Sequence, residues 1–172
     1  MRIRSATPND LDATVELFRD ASRWLASKGS DQWQRPPRIA QIRHDIERGN
    51  VFVVENEDGT IVGTFTVDTF ADPTFWTAED DPTSALYIHR MIVARTHAGR
   101  EIGEQMTRWA EKFAGALGYK WLRLDAWRSN DALLGYYRSR GWQYLRTVHA
   151  PGRQSGALFQ RPTANVTARR AS

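Results

Sequence analysis

Residues 90–109, RMIVARTHAGREIGEQMTRW, run from an apolar strand-like stretch (Met91, Ile92, Val93) through a short loop with two glycines, Gly99 and Gly103, into an amphipathic helical pattern. Few folds need a strand, a glycine-bearing loop and a helix start in such quick succession. Glycine lets a backbone come close to a ligand, and the first turn of a helix presents unpaired N–H groups with a partial positive charge. Together they make a phosphate site. An ordinary strand–helix connection, whose glycines only turn the chain, accounts for the same residues. Neither common nucleotide motif is present: no Gly-Lys-Ser/Thr follows, and GxGxxG is absent.

The flanking segments supply the context. Residues 2–6 read as a short first strand ended by Thr7-Pro8, and Asn9 is placed to cap a helix. Leu11, Val15, Phe18, Ala21 and Leu25 then repeat at helical spacing, with Gly29 to close. A second helix is predicted over about 38–47, and two strands, 51–55 and 60–67, flank the turn sequence Asn-Glu-Asp-Gly. Residues 68–84 hold prolines, aromatics and acids and read as a long loop. Beyond it come a strand at 85–93, a helix at 102–117, a strand at 121–126, a helix at 131–138 and a final strand at 142–149. From Pro151 the chain turns polar. The expected organisation is a single mixed α/β (α+β) domain over residues 1–161, hairpin-rich in its first half and alternating strand and helix in its second. Residues 162–172 are expected to form a flexible tail.

Composition removes several classes. The chain of 172 residues is long enough for a real core and too short to favour two domains. It has no cysteine, which excludes disulfides, thiolate metal sites and a cysteine nucleophile; no metal ion is expected. The N-terminus carries charges throughout and lacks a signal-peptide core, and no apolar run approaches the roughly 18–20 residues of a membrane span. A cytoplasmic protein is the plain reading, and Asn165-Val166-Thr167 is then a chance sequon. The net charge of +4 comes from dispersed basic residues, the clearest cluster being Arg169-Arg170, so nucleic acid is disfavoured as a partner.

In that setting the loop resembles the core signature of the GNAT superfamily, the acetyl-CoA-dependent N-acetyltransferases: a strand, then Arg/Gln-x-x-Gly-x-Gly/Ala, then a helix. LYIHRMIV is the strand, and Ala98-Gly99-Arg100-Glu101-Ile102-Gly103 sits in the loop register. A second feature, a strand, an asparagine and then Tyr-x-x-x-Gly-aromatic, is matched by LRLDAWRSN, ending at Asn130, and by Tyr137 to Gly141-Trp142. The resemblance covers roughly residues 2–148. It implies a mostly antiparallel central sheet flanked by helices, with the strand–loop–helix as cofactor site. Two positions depart from the pattern: Ala98 stands where Arg or Gln is usual, and Glu101 where Gly is usual. Backbone N–H groups tolerate the first change, whereas Glu101 adds negative charge beside phosphates, with Arg95 and Arg100 near in sequence to offset it.

The resemblance implies roles for particular residues. Backbone groups of Met91, Ile92 and Val93 meet the pantetheine arm, and Ala98, Gly99, Arg100, Glu101, Ile102, Gly103 and Glu104 wrap the pyrophosphate. Asn130 holds the pantetheine region, caps the following helix, or both. Tyr137 occupies the position of the acid that meets the departing thiolate. His89 and Tyr87 occupy the positions where some members carry a base; imidazole titrates near neutrality, which favours His89, and a water relay competes with it. His89 shares a strand face with Tyr87 and Met91 by the two-residue period. Trp24, Trp33, Phe75, Trp76 and Tyr87 are candidate walls for an acceptor, with Asp72, Glu79, Asp80 or Asp81 to attract a cationic amine; a solvated acidic loop pinned by aromatics explains these residues equally well. The implied activity is acetyl transfer from acetyl-CoA to a primary amine of a small molecule, by direct attack in a ternary complex. A CoA-binding module without turnover and, less favoured, a nucleic-acid-binding protein are the competing readings. The resemblance also admits a homodimer.

Overall fold

The computed structural model describes residues 1–163. The chain forms an α/β domain around a seven-stranded sheet of order β1-β2-β3-β4-β5-β7-β6. In chain order the elements are β1 (Arg2–Ser5), α1 (Leu11–Ser27), α2 (Ile39–Glu47), β2 (Val51–Glu55), β3 (Ile61–Asp68), β4 (Ala85–Val93), α3 (Ile102–Ala116), β5 (Trp121–Trp127), α4 (Asp131–Ser139), β6 (Gln143–Thr147) and β7 (Ser155–Pro162). β1, β2 and β3 pair antiparallel, β4 and β5 parallel, and β7 runs antiparallel to both β5 and β6. Contacts gather in two compact units. One comprises Met1–Val67 and His89–Thr107, the other Asp68–Ile88 and the chain from Arg108.

In the first unit the helical spacing of α1 buries Val15, Leu17, Ala21 and Leu25. Val15 joins Ile42 and Ile46 of α2 with Val51 and Val53 of β2, while Leu17 and Ala21 pack on Ile92 of β4. Each large side chain so buried contributes about 1.5–3 kcal/mol, which fixes both helices on the sheet. The start of α1 differs from expectation. Asn9 is exposed inside a 3₁₀ turn over Pro8–Asp10, and Asp10 does the tying instead, accepting from the backbone N–H of Thr7 at 2.7 Å and from its hydroxyl at 2.8 Å. Arg4 donates to the same carboxylate at 2.7 Å and holds it well below the ordinary carboxylate range, so an ion pair outweighs the neutral cap.

In the second unit Phe75, Trp76, Ala85, Tyr87 and Leu158 form the core. Leu158 belongs to β7, which the polar reading of the chain beyond Pro151 missed. The segment is a strand because β5 and β6 pair with it on either side, burying Ala157, Leu158 and Phe159 completely. Order also continues past residue 161: Thr163 is fully buried, its N–H donates to the Lys120 carbonyl at 3.0 Å and its hydroxyl to the Tyr119 carbonyl at 2.7 Å. The remainder of the expected tail, with the sequon and Arg169-Arg170, lies outside the described residues.

Candidate active site

The glycine loop is built within the first unit. After β4 comes a 3₁₀ turn over Arg95–His97, and Gly99 then turns left-handed at φ 77°. Glu101 is left-handed too, at φ 60°, and its carbonyl accepts the first helical bond of α3, from the Gln105 N–H at 3.0 Å. The helix therefore offers no partner to the N–H groups of Ile102 and Gly103, which its first turn presents with the positive end of its dipole. Ala98, Gly99, Arg100 and Glu101 are exposed, Gly103 is half-buried, and Ile102 and Glu104 are buried. A left-handed glutamate costs about 1 kcal/mol against a glycine there. The turn needed at residue 101 is thus a glycine's turn, made by a residue poorly suited to it.

The strand entering this loop is equally specific. The Ala94 N–H donates to the Val62 carbonyl at 2.8 Å, and a Cβ added at Gly63 would lie 3.2 Å from the Ile92 carbonyl. Residues 92 and 94 therefore direct their backbone groups to β3, and the alternation of a strand turns those of Met91 and Val93 the other way. One assumption fails here. Arg90 sits at φ 49°, outside strand geometry, so the two-residue period does not carry through from Tyr87 and His89 to Met91. His89 is half-buried. Of the proposed wall residues in this unit, Trp33 stacks on Phe18 with ring centres 5.2 Å apart, and the Arg95 guanidinium lies 3.7 Å over the Trp24 ring. Arg95 thus serves Trp24, not only the loop charge.

Tyr137 and Asn130 belong to the second unit. Asn130 caps α4, its side-chain oxygen accepting from the Leu133 N–H at 3.0 Å. Tyr137 is buried against Tyr136, Trp142 and Phe159, with ring centres 5.4–5.6 Å apart. Burial first, then Tyr136 and Asp125, push its phenol above the ordinary range, so it stays protonated at any physiological pH. A phenol in that state is a hydrogen-bond donor and not a base.

The other candidate walls are core. Trp76 (3% exposed) and Tyr87 (1% exposed) meet edge to face at 5.4 Å, and the Tyr87 hydroxyl donates to the Pro82 carbonyl at 3.0 Å. Burial raises the Tyr87 phenol despite Arg123 beside it. Arg123, which sequence reasoning passed over, is 4% exposed; it lies 5.0 Å from the Trp76 ring centre and donates to the Asp80 carbonyl at 2.7 Å. Two acids of the 68–84 loop are structural pins. Asp72 accepts from Arg153 and from the Thr74 N–H, and Asp80 takes two bonds from Arg146, at 2.8 and 2.6 Å. Glu79 and Asp81 are exposed.

Arg146 holds the Asp80 carboxyl down at about 2, against 3.8 ordinarily. A lowered folded-state value means the pair stabilises fully above about pH 4 and is lost as pH falls through 2. Because the Arg146 side chain is 39% exposed, screening trims its worth. Asp80→Asn is expected to cost about 1–2 kcal/mol at pH 7 in urea unfolding, with the gap to wild type narrowing from pH 4 to pH 2.

Comparison with known proteins decides what this scaffold is. The profile of the acetyltransferase (GNAT) family matches residues 14–142. The chain belongs to the GNAT family. A Bacillus subtilis (strain 168) relative described as an uncharacterized N-acetyltransferase, YesJ, is 29% identical over 145 residues, covering 81% of this chain and 80% of the relative. A solved GNAT acetyltransferase of Listeria monocytogenes 4b F2365 superposes with a TM-score of 0.77 at 28% identity, covering 94% of each chain. Two more distant structures share the fold. The phosphinothricin acetyltransferase of Sinorhizobium meliloti, solved with AcCoA, gives a TM-score of 0.70 at 20% identity over 97% of this chain and 90% of its own. The PaiA N-acetyltransferase of Thermoplasma acidophilum, solved with coenzyme A, gives 0.72 at 16% identity over 94% and 98%. For a GNAT chain, the left-handed pair at 99 and 101 and the positive φ of Arg90 are the conformations to explain. Among the described residues, no helix is long and apolar enough to cross a membrane.

Proposed function

We propose that this GNAT chain moves the acetyl group of acetyl-CoA to a primary amine of a small molecule, by direct attack in a ternary complex. The observation that carries the proposal is the backbone at 99–104: two left-handed residues lead into a helix whose first N–H groups have no partner in the helix, a cradle for a pyrophosphate. In this reading the backbone of Met91 and Val93 adds the pantetheine arm as a further strand, and the Asn130 amide is a further proposed contact of that arm. The ammonium loses one proton to His89 or to a water, the neutral nitrogen bonds to the thioester carbon, the C–S bond breaks, and the second N–H proton passes to the departing thiolate as the amide forms. Tyr137 hydrogen-bonds the leaving sulfur. A thiol's ordinary pKa, near 8.5, lies below that of the phenol, so Tyr137 stabilises the thiolate chiefly by donating a hydrogen bond rather than by early proton transfer. Trp24 and Trp33 are proposed to face the acceptor. The partner is then a small amine rather than nucleic acid or membrane, in the cytoplasm, and a homodimer is compatible with all of this.

Initial rates of CoA release across an amine panel test the reading. Intersecting double-reciprocal lines for acetyl-CoA and amine are expected, while parallel lines would sink direct attack. Glu101 is what a CoA-binding module without turnover has in its favour. Glu101→Gly removes its charge and its strained turn. We expect acetyl-CoA binding about three- to tenfold tighter and folding unchanged or stabilised by up to about 1 kcal/mol, checked by calorimetry and urea unfolding.

A further inference from the structure

Asp45 occupies an unusual place for a carboxylate. It lies on the buried side of α2 with Ile42 and Ile46, which pack on Val51 and Val53 of β2, and it is itself 6% exposed. A charge so placed costs free energy unless it is paired. Its partner is Arg90 of β4, whose Nη2 donates to the Asp45 carboxylate and, at 3.1 Å, to the Thr66 hydroxyl of β3. The Gln41 amide donates to the other carboxylate oxygen at 2.9 Å. Stability alone does not call for this arrangement, because an apolar side chain at that position of α2 would serve the packing as well or better. What the contact does hold is a backbone conformation. Arg90 sits at φ 49°, a left-handed value that a long side chain rarely adopts and that persists only where surrounding contacts impose it.

The turn at 90 lies between His89, the proposed base, and Met91, whose backbone is proposed to meet the pantetheine arm. Beyond it the chain is fixed on β3, by the Ala94 N–H bond to the Val62 carbonyl and by the close approach of Gly63 to the Ile92 carbonyl. A relaxed, extended residue 90 would restore the two-residue period, and with the later residues fixed it would be His89 that rotates. The turn therefore sets the direction of His89 relative to the Met91 backbone.

We propose that Asp45 is a positioning residue for acetyl transfer: through the Arg90 guanidinium it holds the left-handed turn that aims His89. The proposal rests on the acetyl-transfer reading and adds to it a residue that touches no substrate. The test is rescue by glycine. Asp45→Ala removes the acceptor and leaves α2 a strong helix former; kcat is expected to fall at least about tenfold, with KM for acetyl-CoA within about threefold. Adding Arg90→Gly supplies the turn without the guanidinium, because glycine takes positive φ freely, and should return kcat to within about threefold of wild type. Adding Arg90→Ala loses the same side-chain contacts and should not. Where Asp45→Ala does not fold, Asp45→Asn keeps the shape, drops the charge and gives the same comparison. NMR of the His89 imidazole, its signal assigned by its loss in His89→Gln, reads the same effect without an amine: saturating acetyl-CoA should shift it alike in wild type and the glycine double variant, and markedly less in the alanine double variant. An unchanged kcat in Asp45→Ala, or equal rates and equal imidazole shifts in the two double variants, would overturn the proposal and leave the pair a structural tie. A wild type that neither binds acetyl-CoA nor transfers from it would sink the transfer reading and this inference together, before any variant is compared.

Discussion

Tyr137→Phe is expected to lower kcat by about 10²–10³ while leaving KM for acetyl-CoA within about threefold. The substitution keeps the ring, so the contacts with Tyr136, Trp142 and Phe159 survive and the fold should hold. What disappears is one donor, which in the proposed mechanism matters only as charge builds on the departing sulfur. A loss confined to kcat is the signature of an interaction made in the transition state alone. The pH profile offers a second check. Because burial holds the wild-type phenol above the ordinary tyrosine range, its ionisation should not shape the rate below about pH 10, and the pH profiles of wild type and variant should have the same shape there. Steady-state kinetics on purified proteins would show this. An unchanged kcat would remove Tyr137 from the chemistry and leave it a core aromatic.

Gly156→Ala should be the most damaging small substitution for folding. Gly156 lies in β7 at φ 132°, a region essentially reserved for glycine. A Cβ there would sit 2.3 Å from the Val148 carbonyl oxygen and 3.2 Å from the Phe75 ring. The oxygen cannot swing aside as a flexible side chain does, because it is backbone, and the Val148 N–H is itself bonded to the Gly156 carbonyl at 2.9 Å. Conformational strain and overpacking together suggest about 3–5 kcal/mol, or a melting temperature lower by about 8–15 °C. Gly99→Ala is the natural comparison. Nothing lies within 4 Å of its added Cβ, so only the left-handed turn at φ 77° resists, at about 1–2 kcal/mol. Urea unfolding of the two variants should separate clash from turn preference; equal effects would contradict the steric account. Because β7 also carries Phe159 to the Tyr137 ring, Gly156→Ala should lose activity along with stability.

Where local chemistry decides the outcome, the sequence was readable. The helices announced themselves through their buried stripes, and the turn at Asn56–Thr60 through its side-chain acceptors: the Thr60 N–H finds both Asn56 and Asp58 at 2.9 Å. Gly99 was legible because a left-handed turn asks for glycine. β7 was not, since its few apolar residues become a strand only between two partners distant in the chain. Arg90 was opaque for the opposite reason. Nothing in an arginine signals positive φ, and the surrounding structure imposes it. The roles of Asp72 and Asp80 were open in sequence because a loop acid facing an arginine 66 or 81 residues away looks the same as one facing solvent.

The loop at 98–104 is proposed to hold the diphosphate of acetyl-CoA. Calorimetric titration of the purified protein with acetyl-CoA, with ATP alongside, tests it most directly. Saturable one-to-one binding of acetyl-CoA in the micromolar range is expected, with at least tenfold weaker binding of ATP, which lacks the pantetheine arm that Met91 and Val93 are proposed to pair with. No binding of acetyl-CoA at millimolar concentration would contradict it and would mean that Ala98 and Glu101 have disabled the loop.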